Sequence, residues 1–424
     1  MVVEMEGKWN KIAEQTRFIK IVRTKGKEKQ HMDGIMHNIR IEAAVRTFAN
    51  VGQALFAVER HSGHIVVYDC GGENVGYVQR AIKRILPPEE PIDVLFISHY
   101  DRDHINRIRY LLQHYSVKHL VLPMIEEPVK AMTLCMFGSR SLAYRFCNDP
   151  EKEVADIYAA KRTHNEGRED VVMPLIHRIQ QEDGERPRGE EQPSEAIVMD
   201  SWTQNSSHPS GTEFVFGHDD KHWVYIPFNR AVMLPRTVEQ FKIELGLAPN
   251  ATYQDIMDKW RRTSGKRNVF KHAWSATTGI DEKGINAYSM TLYSGSKRPN
   301  QKTGCLYTGD YDARRYIPLL HRAYSNVWDN IFIVQIPHHG SFPNFDRGLV
   351  IKGGYHVISN KQQPSKESDV DYSDVEREIL QNGESAQMTW EGDIQIPCIM
   401  DNHARIVIPN TRHGFVYFLN KGLK

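Results

Sequence analysis

The 424-residue sequence predicts an α/β fold. Two observations carry that reading. Short β-rich runs, bounded by turn residues, alternate with segments of helical apolar spacing. Several runs are almost wholly apolar, Ile92 to Ile97 above all, as a strand buried on both faces requires.

The elements follow in order. Residues 17–24 read as an early strand. Val45 to Phe48, Leu55 to Glu59 and His64 to Tyr68 read as strands separated by Gly52 and by Ser62-Gly63. Val78, Ile82, Ile85 and Leu86 lie at helical spacing within 77–86, and Pro87-Pro88 stops that helix. The strand at 92–97, a helix at about 105–114 and a strand from Lys118 to Leu122 come next. Residues 124–280 change character, with helical patches between polar stretches, and read as a long, mainly helical insertion. Within it, 180–195 has few apolar side chains and reads as a mobile loop. Phe214–Phe216 and His222–Ile226 read as a hairpin, and Thr237–Gln240 and Thr252–Asp255 as capping boxes opening two helices. Strands resume at Ser289–Tyr293, Cys305–Thr308 and Ile331–Ile336. A polar linker from Asn360 to Asp374, a helix at about 374–381 and strands at Ala404–Ile408 and Gly414–Leu419 complete the chain. The expected organisation is an N-terminal extension (1–39), a core (40–123 and 281–400), the insertion (124–280) and C-terminal strands (401–424).

Charge and composition exclude several functions. Lys plus Arg is 54 and Asp plus Glu is 53, a net charge of +1, so a generally basic, histone-like binder is excluded while a local basic groove is not. The five cysteines are scattered without a CxxC pair, which fits neither a disulfide framework nor a zinc knuckle. No apolar stretch of signal-peptide or membrane-spanning kind is present, so a reducing cytoplasm and no membrane association are expected.

The strongest chemical signal is Ser98-His99-Tyr100-Asp101-Arg102-Asp103-His104, placed directly after the 92–97 strand. It packs four potential metal ligands into six residues. Imidazole with carboxylate suits Zn²⁺, Mn²⁺ or Fe. The competing reading is a polar turn in which Asp103 caps a helix. Two later strand ends add weight: Gly309-Asp310 and Pro337-His338-His339-Gly340-Ser341. Alone, each is ordinary turn chemistry. Three strand ends carrying His and Asp become neighbours if they share one edge of a sheet, and a carboxylate such as Asp310 can bridge two metals.

In this order, these motifs resemble the metallo-β-lactamase fold. More narrowly they resemble the hydrolase domain of ComEC-type DNA-uptake competence proteins and their stand-alone relatives. Phe48–Gln53, Asp69-Cys-Gly-Gly72, Asn286-Ala-Tyr-Ser289, Val357–Ser359 and Thr389–Ile394 match further elements of that branch. The resemblance spans about 40–122 and 285–397 and does not cover the insertion. It implies an αββα sandwich with two divalent ions, Zn or Mn. It implies that His99 and Asp101 ligate the first ion, and that Asp103 and His104 serve the second. Asp310 bridges, and either His338 or His339 completes the second site. Asp69 is implied as an orienting residue, with Asn286 or Ser289 near the metal or a phosphate. Asp103 and Asp310 are the expected catalytic residues, around a water activated between the ions. Two departures stand out. Asp101 replaces the His of most of the superfamily, which shifts preference toward Mn²⁺ without excluding Zn²⁺. The separate His ligand before the bridging Asp has no clear counterpart; His164, His177, His208, His218, His222 and His272 all read as ordinary histidines of the insertion.

A basic cluster with interleaved aromatics, Lys259-Trp260-Arg261-Arg262 and Lys266-Arg267, suits a phosphate backbone with stacked bases. Equally, it is the solvated face of a helix with Ile256 and Trp260 turned inward. The expected function is a two-metal phosphodiesterase or nuclease acting on DNA. The alternatives are a small-molecule or cyclic-nucleotide hydrolase, or a metal-stabilised subunit that docks a protein partner through 124–280, for example in phage defence.

Overall fold

Apolar strand runs and amphipathic helices sort the chain into four layers. The computed structural model describes residues 2–3, 21–22, 42–164, 172–182, 196–217, 223–231, 233–279, 289–361, 372–400, 406–410 and 414–418. Near the start, β1 (Val2–Val3) and β2 (Ile21–Val22) pair antiparallel. Next come β3 (Glu42–Phe48), β4 (Ala57–His61) and β5 (His64–Tyr68), an antiparallel meander. Helix α1 (Val75–Ile85) is capped by Asn74, whose side chain accepts from the Gly76 N–H at 2.8 Å. It buries Val78, Ala81 and Ile82. Then β6 (Ile92–Phe96) joins β5 in parallel, α2 (Arg102–Ile105) and α3 (Ile108–His114) follow, and β7 (Val117–Pro123) pairs parallel to β6.

The segment after β7 opens with α4 (Glu127–Phe137), α5 (Leu142–Asn148) and α6 (Pro150–His164). Five short strands come next: β8 (Leu175–Ile179), β9 (Ile197–Val198), β10 (Ser206–His208), β11 (Phe214–Val215) and β12 (Trp223–Phe228). Three helices close the segment, α7 (Pro235–Glu244), α8 (Tyr253–Arg262) and α9 (Lys266–Thr278). Thereafter run β13 (Thr291–Ser296), β14 (Gly304–Tyr307), α10 (Ala313–Ala323), β15 (Ile331–Gln335), β16 (Tyr355–Ile358), α11 (Tyr372–Gln381), β17 (Ser385–Met388) and β18 (Ile394–Met400). A hairpin of β19 (Ile406–Asn410) and β20 (Gly414–Phe418) comes last.

Two eight-stranded sheets result. The first has the order β10-β8-β7-β6-β5-β4-β3-β18, the second β17-β16-β15-β14-β13-β12-β11-β9. Side-chain alternation fixes what each face meets. Val94 and Phe96 of β6 face the second sheet, whereas Leu95 and Ile97 face helices. Val334 and Ile336 pack under α10 and α11 with Leu320, Val375 and Ile379. Helices, two sheets and helices therefore stack as the αββα sandwich expected.

Residues 124–280 are mainly helical, as expected, and also carry five short strands. Their strands lengthen both sheets, β8 and β10 the first, and β9, β11 and β12 the second. Their helices cover the first sheet, Met132, Phe241, Ile256, Phe270 and Trp274 sharing a core with Ile92 and Leu120. Strands this short leave no period-two pattern to read. The Phe214–Phe216 hairpin does form, with Phe214 opposite Tyr225. Thr252 and Asp255 make the expected capping box. Thr237 does not: the helix begins at Pro235, whose fixed φ suits the first helical position, so Thr237 lies inside the first turn. The core of the 180–195 loop and the 362–371 part of the linker lie outside the described residues, as does most of 1–39. All five cysteines are buried, and none forms a disulfide among the described residues. Among the described residues, no helix is long and apolar enough to cross a membrane.

Candidate metal centre

One edge of the sandwich collects the polar strand ends. Parallel strands β5, β6, β14 and β15 deliver Asp69, Ser98-His99, Asp310 and His338-His339 there, and antiparallel β13 begins there beside Ser289. Close approach needs glycine at two points. A Cβ on Gly71 would lie 1.6 Å from the Asp103 carbonyl oxygen. A Cβ on Gly309, at φ +55°, would lie 2.8 Å from Ser98 Cβ and 3.0 Å from Ser289 Oγ. Among the described residues, five that are not glycine have positive φ. Three of them are Asp69, His338 and His339, so left-handed backbone strain is concentrated at this edge.

Each imidazole is tethered through Nδ1. His104 donates from Nδ1 to Asp69 Oδ2 at 2.7 Å. His339 donates to the Ser359 carbonyl at 3.1 Å, and His338 to Asn344 Oδ1 at 2.9 Å. His99 Nδ1 lies 2.9 Å from both Ser98 Oγ and Ser289 Oγ. Ser98 gives its single hydroxyl proton to Asp69 Oδ2 at 2.7 Å, so toward His99 it accepts. In every case Nε2 is the ring nitrogen turned toward the interior. This is the arrangement metal-ligating histidines adopt, with the outer nitrogen fixing tautomer and ring orientation.

The four Nε2 atoms face the carboxylates. Asp310 Oδ1 lies 3.1 Å from His104 Nε2 and 3.8 Å from His339 Nε2. Asp103 Oδ2 lies 2.9 Å from His339 Nε2 and 3.7 Å from His104 Nε2. Asp103, His104, Asp310 and His339 each offer a ligand atom within 4.8 Å of the others. On the other side, Asp310 Oδ2 lies 3.6 Å from His99 Nε2 and 3.7 Å from His338 Nε2. Two ligand atoms held about 2.1 Å from one ion sit about 3.0–3.5 Å apart, so this spacing fits a divalent cation on each side of Asp310.

Polar accounting agrees. Asp101 Oδ1, His104 Nε2 and Asp310 Oδ1 are buried with no hydrogen-bond partner among the described residues. Burial, with Asp103 and Asp310 nearby, pushes the Asp101 carboxyl up to about 7. Burial and the neighbouring His104 push His99 down to about 3. Burial also opposes charge on His104, yet Asp310, Asp69 and Asp103 together hold it well above the ordinary histidine value. Burial would raise Asp103, but His104 and the His339 hydrogen bond hold it to about 2. A lone pair 2.9 Å from a carboxylate repels unless a proton or a cation lies between them.

The sequence-derived residues divide clearly. His99, Asp101, Asp103, His104, Asp310, His338, His339, Asp69 and Ser289 converge here. Asn286 lies outside the described residues. Lys259, Arg261, Arg262, Lys266 and Arg267 lie on α8 and α9, where Ile256 and Trp260 turn into the core. Arg267 meets α4 at Cys135, eight residues past the start of that helix. Three contributors were missed by sequence reasoning. Ser98 ties Asp69 to His99, Asn344 orients His338, and Gln335 Oε1 accepts from the Thr308 and Gly309 N–H groups, each at 2.8 Å. Gln335 had left a signal: it is a polar residue in an otherwise apolar strand.

The metallo-beta-lactamase superfamily profile matches residues 51–192, which include Asp69 and the 98–104 motif. The sandwich is a metallo-β-lactamase fold. Members of that superfamily are generally metal-dependent hydrolases. The match stops before Asp310 and His338-His339, which the metallo-β-lactamase topology nevertheless brings to the same edge. Solved structures similar to the chain include the short form of human tRNase Z, at 12% identity over 69% of this chain and 77% of that one, with a TM-score of 0.32. The metallo-β-lactamase fold protein YhfI from Bacillus subtilis aligns at 8% identity over 84% of this chain and 99% of its own, with a TM-score of 0.34. The metallo-β-lactamase MIM-1 from Novosphingobium pentaromativorans aligns at 10% identity over 79% and 88%, with a TM-score of 0.28. No curated protein matches the chain.

Proposed function

We propose that the chain is a two-metal phosphodiesterase that cleaves DNA. The observation that carries the two-metal part is the division of ligands about Asp310. His104 and His339, with Asp103, face its Oδ1, while His99 and His338 face its Oδ2. In this reading His338 completes the first site, in place of the histidine the sequence lacks, and His339 completes the second. Asp101 belongs with His99, and its hard carboxylate favours Mn²⁺ over Zn²⁺. When bound, such ions supply Lewis acidity and lower the pKa of a water.

The chain's own residues hold this arrangement. Asp69 fixes His104 and, through Ser98, His99. Ser289 accepts from the Asp310 N–H at 2.9 Å while touching His99, so one hydroxyl sets both the bridging carboxylate and its neighbouring imidazole. Gln335 shapes the turn before Asp310. The DNA part rests on the ComEC-type motif set. The basic cluster lies on helices α8 and α9 and not on the loops that carry the candidate ligands, so it serves at most as an accessory surface.

The test is incubation of the purified protein with single-stranded DNA, duplex DNA and RNA, with Mn²⁺ or Zn²⁺. Asp310→Ala and a chelator are the controls. Cleavage of DNA that needs both the ion and Asp310 is expected. Protein holding two ions per chain that cleaves no nucleic acid overturns the reading in favour of a small ester or cyclic nucleotide.

A further inference from the structure

Resting on the phosphodiesterase reading, we infer that Phe342 and Arg314 form a nucleotide subsite at the lip of the centre. Phe342 stacks a base, and Arg314 contacts a phosphate of the same strand. Phe342 lies three residues past His339, on a turn, Phe342–Asn344, that buries none of its residues. Its side chain is 37% exposed. Single exposed aromatics are common on protein surfaces and need no explanation alone. This one is set apart by its surroundings. The same turn supplies Asn344, which orients His338, so the ring stands on the loop that carries two site imidazoles. The turn packs against α10, and from the first turn of that helix the Arg314 guanidinium lies 5.8 Å from the Phe342 ring centroid.

Arg314 is exposed and forms no ion pair among the described residues, whereas the adjacent Arg315 pairs with Asp312 at 3.5 Å. It follows Asp310 by four residues, so each of two site loops contributes one half of the pair. Three residues reach at most about 11 Å. Phe342 is thus within about three stacked nucleotides of the metal-facing side chains. A partly exposed ring with an exposed guanidinium over one face is a combination that holds single strands without base preference, since every base has a π-face that can stack on the ring. The substrate this favours is single-stranded or frayed DNA.

The test is binding of fluorescein-labelled oligo(dT) and of an all-abasic oligomer of equal length, read by fluorescence anisotropy in chelator so that nothing is cleaved. Wild type should bind oligo(dT) more tightly than the abasic chain. Phe342→Ala should weaken oligo(dT) binding by roughly 5- to 100-fold and abolish that preference, whereas Phe342→Trp should keep it. Arg314→Ala should weaken both oligomers and flatten their salt dependence. Circular dichroism checks that each variant folds. A Phe342→Ala protein that still prefers oligo(dT) overturns the subsite and leaves the phosphodiesterase reading standing. Wild type that binds neither oligomer, and cleaves no DNA with metal, overturns both.

Discussion

Two buried polar clusters lie between the sheets, and they are built to opposite ends. In the first, Arg46 on β3 donates from Nε to Glu59 Oε2 on β4 at 2.7 Å. Glu59 also accepts from Trp223 Nε1 at 3.1 Å, the Tyr225 hydroxyl at 2.9 Å and Ser294 Oγ at 2.6 Å, all from the second sheet. Arg46 also donates to the Ser294 carbonyl and to Cys398 Sγ. One positive charge meets one negative charge and the knot closes on itself. The second cluster gathers Asp69, Asp101, Asp103 and Asp310 with four imidazoles and leaves acceptors without donors. Burial and polarity are common to both. Unmet acceptors aimed at one point belong only to the second, and that difference separates a fastening from a receptacle.

The contrast can be broken most forcefully at Asp310. Asp310→Ala should abolish hydrolysis and lower bound metal, read by plasma mass spectrometry, while the circular dichroism spectrum is unchanged. Full activity in that variant would remove the metal reading altogether. Glu59→Ala should do the reverse. It strands a buried guanidinium and should cost about 3–5 kcal/mol in urea unfolding, with metal content per folded chain unaltered.

Acid should also separate the clusters. Burial would raise Glu59, but Arg46 and the hydrogen bonds hold its carboxyl below the ordinary range. Its stabilisation is therefore complete above the unfolded-state pKa and is lost as pH falls through the lower folded-state value. The Arg46→Met/Glu59→Met protein should lose that part of the acid dependence, and an unchanged unfolding profile between neutral and acid pH would contradict it. Smaller effects sharpen the picture. Asn344→Ala and Ser289→Ala should each weaken metal binding or activity by about 10- to 100-fold, measured by metal titration. Arg261→Ala/Arg262→Ala should alter activity on a short oligonucleotide by less than about 2-fold, because these side chains lie on a helix face, not on the site loops.

The site was legible where ligands cluster in sequence or follow an apolar strand, as in His99 to His104, Asp310 and His338-His339. Its outer ring was not, because Ser98, Asn344 and Gln335 act through single hydrogen bonds that depend on three-dimensional neighbours. The different directions taken by His338 and His339 were also hidden. Both sit at positive φ, and only the turn geometry sends their rings to opposite sides of Asp310. In the fold, most strands and helices of the core were readable within a few residues, but helix α10 and strands β16, β17 and β18 were not. Of the five short strands between 175 and 228, β11 and β12 were readable as a hairpin, but β8, β9 and β10 were not, since they are short and pair in parallel with strands reached only through intervening chain. Pro235 overrode the capping signal at Thr237.

The pairing of β18 with β3, from Phe48 opposite Ile394 to Glu42 opposite Met400, sets the timing of assembly. Seven strands of the first sheet come from residues 42–208, and the eighth is made only after the whole second half of the chain. At a ribosomal rate of about 5–20 residues per second, β3 waits on the order of ten seconds or longer with an open hydrogen-bonding edge. Arg46 meanwhile has neither Cys398 nor the second-sheet partners of Glu59. The nascent protein is thus open to aggregation at the strand that later carries the buried Arg46–Glu59 ion pair.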